Sequence, residues 1–263
     1  MQNIQITTVQ TAIFWKNKTK NLEYLSGILA NLTAKQDLIV LAEMFNTGFT
    51  LQPENYAEEM NGPTIKWLKQ MAEKTKSTIV GSLMVNDEQK SVNRLVWVSP
   101  EREIVYYDKR HLFRLGDEQC YFRHGEKPVC VDLKGWKIKP LICYDLRFPV
   151  WSKNRFANDN YEYDLLLYVA NWPASRSNVW NTLLSARAIE NQCYVVGVNR
   201  IGTDGTGVDY VGDSSVISPK GNILYHAANT EEINTITLHY TPLQRFREMF
   251  TVGKDWDDFT IHY

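Results

Sequence analysis

The sequence predicts an α/β fold in which two mixed β-sheets are flanked by helices. Three observations carry this. Apolar runs of β type alternate with segments of helical periodicity along the chain. Two runs, DLIVLAE (37–43) and DLLLYVAN (164–171), are continuously apolar, as strands covered on both faces are. Hairpin-like pairs lie between them, which makes the sheets mixed. Roughly ten or more strands are more than one open sheet holds comfortably.

The elements follow in order. IQITTVQ (4–10) reads as a strand. Residues 18–34 carry Leu22, Leu25, Leu29 and Leu32 at helical spacing. DLIVLAE is the second strand, read to its end at Glu43. Asn61-Gly62-Pro63-Thr64 opens a helix with Ile65, Leu68, Met71 and Ala72 on one face. STIVGSLMV and NRLVWVSP form a hairpin across NDEQK, and EIVYYDK (103–109) is a further strand. KIKPLICY leads to Cys143, and a short helix starts near Phe148. After DLLLYVAN comes a helix over 177–192, with Ser177 or Asn178 as N-cap and Leu183, Leu184, Ala188 and Ile189 turned inward. CYVVGVNR is a strand, DGTG (204–207) and SPKGN (218–222) are turns of a β-meander, and TPLQRFREMF is a terminal helix with Leu243, Phe246 and Phe250 on one face. No linker, repeat or low-complexity segment interrupts the chain, so residues 1–263 are expected to be one domain.

Composition narrows the function. Apolar residues make up 44%, charged residues 22%, and the net charge is -1, so neither a nucleic acid nor an anionic membrane surface is an expected partner. No apolar run approaches the roughly 18 residues of a membrane span. MQNIQITTVQ has no basic stretch followed by an apolar core, so no signal peptide is expected. Cys120, Cys130, Cys143 and Cys193 are scattered, without metal-ligand spacing. Free thiols in a reducing cytoplasm, and no metal, are the expectation.

In α/β folds ligands bind beyond the carboxyl ends of strands. Glu43 closes DLIVLAE, Lys109 closes EIVYYDK, Cys143 closes the strand before YDLRFP, and Asn171-Trp172 closes DLLLYVA. Each has a plain structural reading: a buried small thiol, a solvated strand end, a surface lysine. Together they suit attack on an amide or nitrile. That chemistry needs a nucleophile, a base, an oxyanion donor and a proton for the leaving nitrogen. Glu43 supplies the base. Lys109 lowers the pKa of the thiol and holds the oxyanion, with the backbone N–H of Tyr144 as second donor.

The motifs LAEMFNTGF, YYDKRHLF and LICYDLRFP, in this order, resemble the signatures of the nitrilase superfamily of carbon–nitrogen hydrolases. The resemblance covers nearly the whole chain. It implies a Glu43–Lys109–Cys143 triad, a four-layer α-β-β-α sandwich, and a homodimer or higher homo-oligomer joined through helical faces. It also implies a second glutamate, matched by Glu118 seven residues before Gly125, which orients the lysine and the substrate. No cofactor is implied. Within the superfamily DKRHLFRLGDEQ, CYDLRFPVWS, YVANWPASR and LLSARAIENQ resemble the bacterial omega-amidase branch, which hydrolyses the terminal amide of 2-oxoglutaramate and 2-oxosuccinamate. A 2-oxo acid amide has an anionic end that calls for a cation. Arg147 and Arg176 are the candidates, with Phe45 and Trp172 as pocket walls. An ion pair of Arg147 with Glu190 is the structural alternative. True nitrilases, carbamoylases and amidases of deaminated glutathione share the triad. A histidine-dependent cysteine hydrolase would instead use His111, His124, His226, His239 or His262, and a catalytically silent sandwich would use none of these groups.

Overall fold

The structure, a computed structural model, describes residues 2–88 and 90–262. Six strands form one sheet in the order Glu232–Leu238, Ile4–Gln10, Leu38–Val40, Thr78–Asp87, Lys90–Val98, Ile104–Asp108. The three strands Ile4–Gln10, Leu38–Val40 and Thr78–Asp87 run parallel, and the others add antiparallel. The second sheet has seven strands. Its path is Ile201–Thr203, Asp209–Ile217, Tyr194–Val198, Leu165–Val169, Trp136–Ile142, Val131–Leu133, with Ile223–Ala228 paired to Asp209–Ile217. Trp136–Ile142, Leu165–Val169 and Tyr194–Val198 are its parallel centre.

Side-chain alternation along each strand builds the layers. In the first sheet Ile4, Ile6, Leu38, Val40, Val80, Leu95 and Trp97 join a core shared with Ile138, Leu141, Leu165 and Val195 of the second sheet. Their neighbours Val9, Ile39, Leu41, Ile79, Val96 and Val98 face the other way, onto Leu25 and Leu29 of helix Lys18–Ala30 and Ile65, Leu68, Met71 and Ala72 of helix Pro63–Thr75. Helix Ser177–Asn191 covers the second sheet through Trp180, Leu184 and Ala188. It lies against Gly197, where an added Cβ would stand 2.7 Å from Leu184. The result is the expected α-β-β-α sandwich. Among the described residues no helix is long and apolar enough to cross a membrane.

Several expectations change in detail. The first helix stops at Ala30, with Asn31 as its C-cap. DLIVLAE is a regular strand only over Leu38–Val40, because the chain turns at Met44 with φ 43°. The hairpin strands extend into NDEQK from both sides, pairing Asp87 with Lys90. Arg176, not Ser177, is the N-cap residue of the long helix, and the Ser177 hydroxyl donates instead to Asp213. Ile189 is turned outward, 56% exposed, while Arg187 takes a buried place. The terminal helix buries Leu243 and leaves Phe250 exposed. The late meander divides: Glu232–Leu238 crosses to the first sheet and pairs with Ile4–Gln10.

Candidate active site

Three chain reversals bring the reactive groups together. Cys143 follows strand Trp136–Ile142 and opens a tight 3₁₀ turn, Cys143–Arg147, with a left-handed φ of 42°. Such a φ in a non-glycine residue is strained and recurs where a side chain must stand out from a strand end. Asp145 stabilises the reversal by accepting from the Ile142 N–H at 3.0 Å. Glu43 lies just beyond Leu38–Val40, and the following Met44 N–H donates to Ser82 Oγ at 3.0 Å. Lys109 follows Ile104–Asp108, and its N–H donates to the Asn93 carbonyl at 2.9 Å. Glu118 opens the single-turn helix Glu118–Tyr121, where its Oε2 accepts from the Phe113 N–H at 2.6 Å.

Lys109 Nζ donates to Glu43 Oε1 at 2.9 Å and to both oxygens of Glu118 at 3.0 and 2.9 Å. Glu43 and Glu118 are fully buried and Lys109 is 1% exposed. Asn93 Nδ2 donates to Glu43 Oε1 at 2.8 Å, and the Asn171 N–H to Glu43 Oε2 at 2.8 Å. The Cys143 thiol lies 3.9 Å from the Asn171 carbonyl oxygen, to which it donates. The sequence reading missed Asn93. Its signal was parity: Asn93 shares the inward face with Leu95 and Trp97, and a polar side chain there needs a partner.

The charges set the resting state. Burial pushes the Cys143 thiol well above its ordinary value; Glu43 and Glu118 add to the rise, and Lys109 offsets only part of it. Lys109 lowers the thiol pKa, as expected, but burial and the two glutamates outweigh it. Burial alone would lower the Lys109 ammonium, but Glu118, Glu43 and Cys143 outweigh it and hold the lysine protonated. Burial raises the Glu118 carboxyl, with Lys109 opposing and Glu43 reinforcing the shift.

Glu43, Lys109, Cys143 and Asn171 line one cavity of about 530 Å³. Tyr144, Arg147, Trp172 and Arg176 line it too, as the sequence suggested. Arg147 is held over the Trp172 ring at 5.2 Å and Arg176 over the Phe113 ring at 5.3 Å. The Arg147–Glu190 pair does not form; Glu190 pairs with Arg187 at 2.9 Å. Phe45 is the misplaced candidate. It is buried behind the first sheet against Trp67, with ring centroids 5.9 Å apart. Phe49, one turn later, takes its expected place in the cavity wall, 5.4 Å from Lys109 Nζ. No histidine is among the cavity-lining residues. His111 is instead paired with Asp145 at 2.8 Å.

The model of the carbon-nitrogen hydrolase family matches residues 4–248. The chain is 43% identical to the omega-amidase YafV of Escherichia coli strain K12, over 99% of this chain and 100% of that protein. It is 31% identical to the 2-oxoglutaramate amidase of Bacillus subtilis strain 168, over 95% and 96% of the two chains. The crystal structure of XC1258 from Xanthomonas campestris, a CN-hydrolase superfamily protein with an arsenic adduct in its active site, superposes with a TM-score of 0.97. It shares 40% identity, with both chains covered in full. With its sandwich, its strand-end cluster and these relatives in agreement, the chain belongs to the carbon-nitrogen hydrolase family.

Proposed function

We propose that this protein is an omega-amidase that hydrolyses the terminal amide of 2-oxoglutaramate or 2-oxosuccinamate through a thioester on Cys143. Two relatives bear that activity in their names, at 43% and 31% identity. The observation that carries the mechanism is Lys109 Nζ, placed between the buried carboxylates of Glu43 and Glu118 in the cavity that Cys143 lines.

Glu43 accepts the thiol proton as the sulfur attacks the amide carbon. A thiol whose pKa is raised needs such a base, and the transfer leaves no free thiolate waiting. The Lys109 ammonium and the Tyr144 N–H hold the oxyanion; the latter lies in the first turn of the 3₁₀ segment, where N–H groups point away from intrahelical partners. One such donor is typically worth about 3–4 kcal/mol. Glu43 returns the proton to nitrogen, ammonia leaves, and the thioester remains. Glu43 then deprotonates water, which displaces the thiolate and releases the 2-oxo diacid; the proton returns to sulfur. Glu118 orients Lys109. Arg147 and Arg176 meet the 2-oxo carboxylate, and Trp172 with Phe49 walls the cavity.

The same reading places one domain over residues 1–263, acting as a homodimer in the cytoplasm without metal or organic cofactor. The four free cysteines suit a reducing compartment. A substrate panel with ammonia detection tests the assignment. 2-Oxoglutaramate and 2-oxosuccinamate should give the highest kcat/KM, above a neutral short amide, a nitrile, an N-carbamoyl amino acid and deaminated glutathione. A higher value for any of the last four would move the enzyme to another branch of the family.

A further inference from the structure

We infer that Asp145 is a positioning residue that locks the Cys143 turn of one sheet to the Lys109 loop of the other. The inference rests on the proposed roles of Cys143 and Lys109. Asp145 is fully buried and touches neither the cavity nor the reacting atoms. Its carboxylate nevertheless takes four donors. Oδ2 accepts from the Ile142 N–H at 3.0 Å and from the Tyr107 hydroxyl at 2.7 Å. Oδ1 accepts from the His111 N–H at 3.0 Å and lies 2.8 Å from His111 Nδ1.

Those donors come from two sheets. Ile142 ends the strand that delivers Cys143. Tyr107 and His111 flank Lys109 at two residues on either side, and Tyr107 belongs to strand Ile104–Asp108 of the other sheet. The Tyr107 oxygen extends the lock. It accepts from the Arg110 N–H at 3.2 Å and from Trp151 Nε1 at 2.9 Å, on the short helix Pro149–Ser152 after the nucleophile turn. The His111 ring stacks on Phe148 with centroids 3.7 Å apart. Other directed bonds cross between the sheets, from Asn171 to Glu43 and between Gln10 and Ser214, but the rest of the interface is largely apolar, non-directional and tolerant of small slides. A buried carboxylate with four directed hydrogen bonds is not. The placing of the Cys143 turn against the Lys109 loop is therefore fixed in part by a group that takes no part in the chemistry.

The experiment compares wild type with Asp145→Asn and Tyr107→Phe. Asp145→Asn keeps the volume but turns an N–H₂ group toward existing donors. Tyr107→Phe removes one oxygen. For Asp145→Asn, kcat on 2-oxoglutaramate should fall about 100-fold while KM stays within about threefold. For Tyr107→Phe the expected loss in kcat is about tenfold, with KM unchanged. The second readout is the p-nitrophenolate burst from p-nitrophenyl acetate, which reports sulfur attack on a carbonyl without any 2-oxo acid. It should slow in parallel, and Cys143→Ala should abolish it. A folded Asp145→Asn with wild-type kcat and burst rate overturns the inference. If that variant does not fold, Tyr107→Phe decides: a lowered Tm with unchanged kcat and burst rate overturns it equally. Absence of wild-type turnover on 2-oxoglutaramate with a normal burst would refute the substrate assignment and leave the burst comparison to judge Asp145.

Discussion

Burial governs the Cys143 thiol, Glu43 and Glu118 reinforce its effect, and the single Lys109 ammonium offsets only part of it. In such a field a Cys143 thiolate would add a further negative charge, so burial and the glutamates keep the proton on sulfur. The sign gives a pH prediction. A thiol raised above the ordinary value of about 8.5 gains thiolate only beyond that pH, so the alkylation rate of Cys143 by iodoacetamide should still be rising there. A plateau below neutral pH would show a preformed thiolate and remove the need for Glu43 as base. Arg176, held over Phe113 at the cavity, leads to a second prediction. Arg176→Met should raise KM for 2-oxo acid amides about tenfold or more and leave a neutral short amide nearly unaffected, as loss of one charge-assisted contact does. Equal effects on both substrates would sink the carboxylate contact. At this scale the places of Glu43, Lys109 and Cys143 at the ends of apolar runs were legible from the sequence, whereas their joint role came only from the resemblance of the three motifs around them. The place of Phe45 was not legible, because a turn beginning at Met44 decides which of Phe45 and Phe49 faces the cavity, and no periodicity reports a turn of that kind.

Loops, more than strands, hold the site at the level of elements. The segment after Lys109 returns to it: the Gly125 N–H donates to the Lys109 carbonyl at 2.8 Å. A Cβ on Gly125 would stand 2.1 Å from the Asp108 carbonyl oxygen, a backbone atom that cannot swing aside. Gly125→Ala should therefore shift Lys109 and lower kcat about tenfold or more, with a smaller change in KM. A folded variant with wild-type kcat would show that the loop has slack. The start and facing of helix Pro63–Thr75 were legible, from Pro63 at its first turn and the Ile65, Leu68, Met71, Ala72 stripe. The long helix was legible in extent but not in facing. Arg187 is buried because it can reach the Leu146 carbonyl at 2.6 Å, a partner distant in sequence, as well as Glu190 at 2.9 Å on its own helix. Its gain turns Ile189 outward.

The whole molecule explains why the proposed triad is scattered over a hundred residues of chain. Glu43 and Lys109 arrive from the first sheet and Cys143 from the second, so the site exists only when the sheets stack. The alternation of strands and helices made this stacking readable, whereas the crossing of Glu232–Leu238 to the first sheet was not, since its partner Ile4–Gln10 lies at the other end of the chain. The exposed Ile189 also belongs to this scale. It lies beside Gly221, on the helix that covers the second sheet, as a large apolar side chain left exposed. For the proposed homodimer or higher homo-oligomer joined through helical faces, Ile189→Asp should lower the sedimenting mass. An unchanged mass would move the interface elsewhere. The central claim, that Cys143 carries the acyl group of a 2-oxo acid amide, has one direct measurement: ammonia release from 2-oxoglutaramate by wild type and by folded Cys143→Ala. The account predicts turnover in the first and none in the second, at an unchanged Tm. Wild-type ammonia release from Cys143→Ala would contradict it.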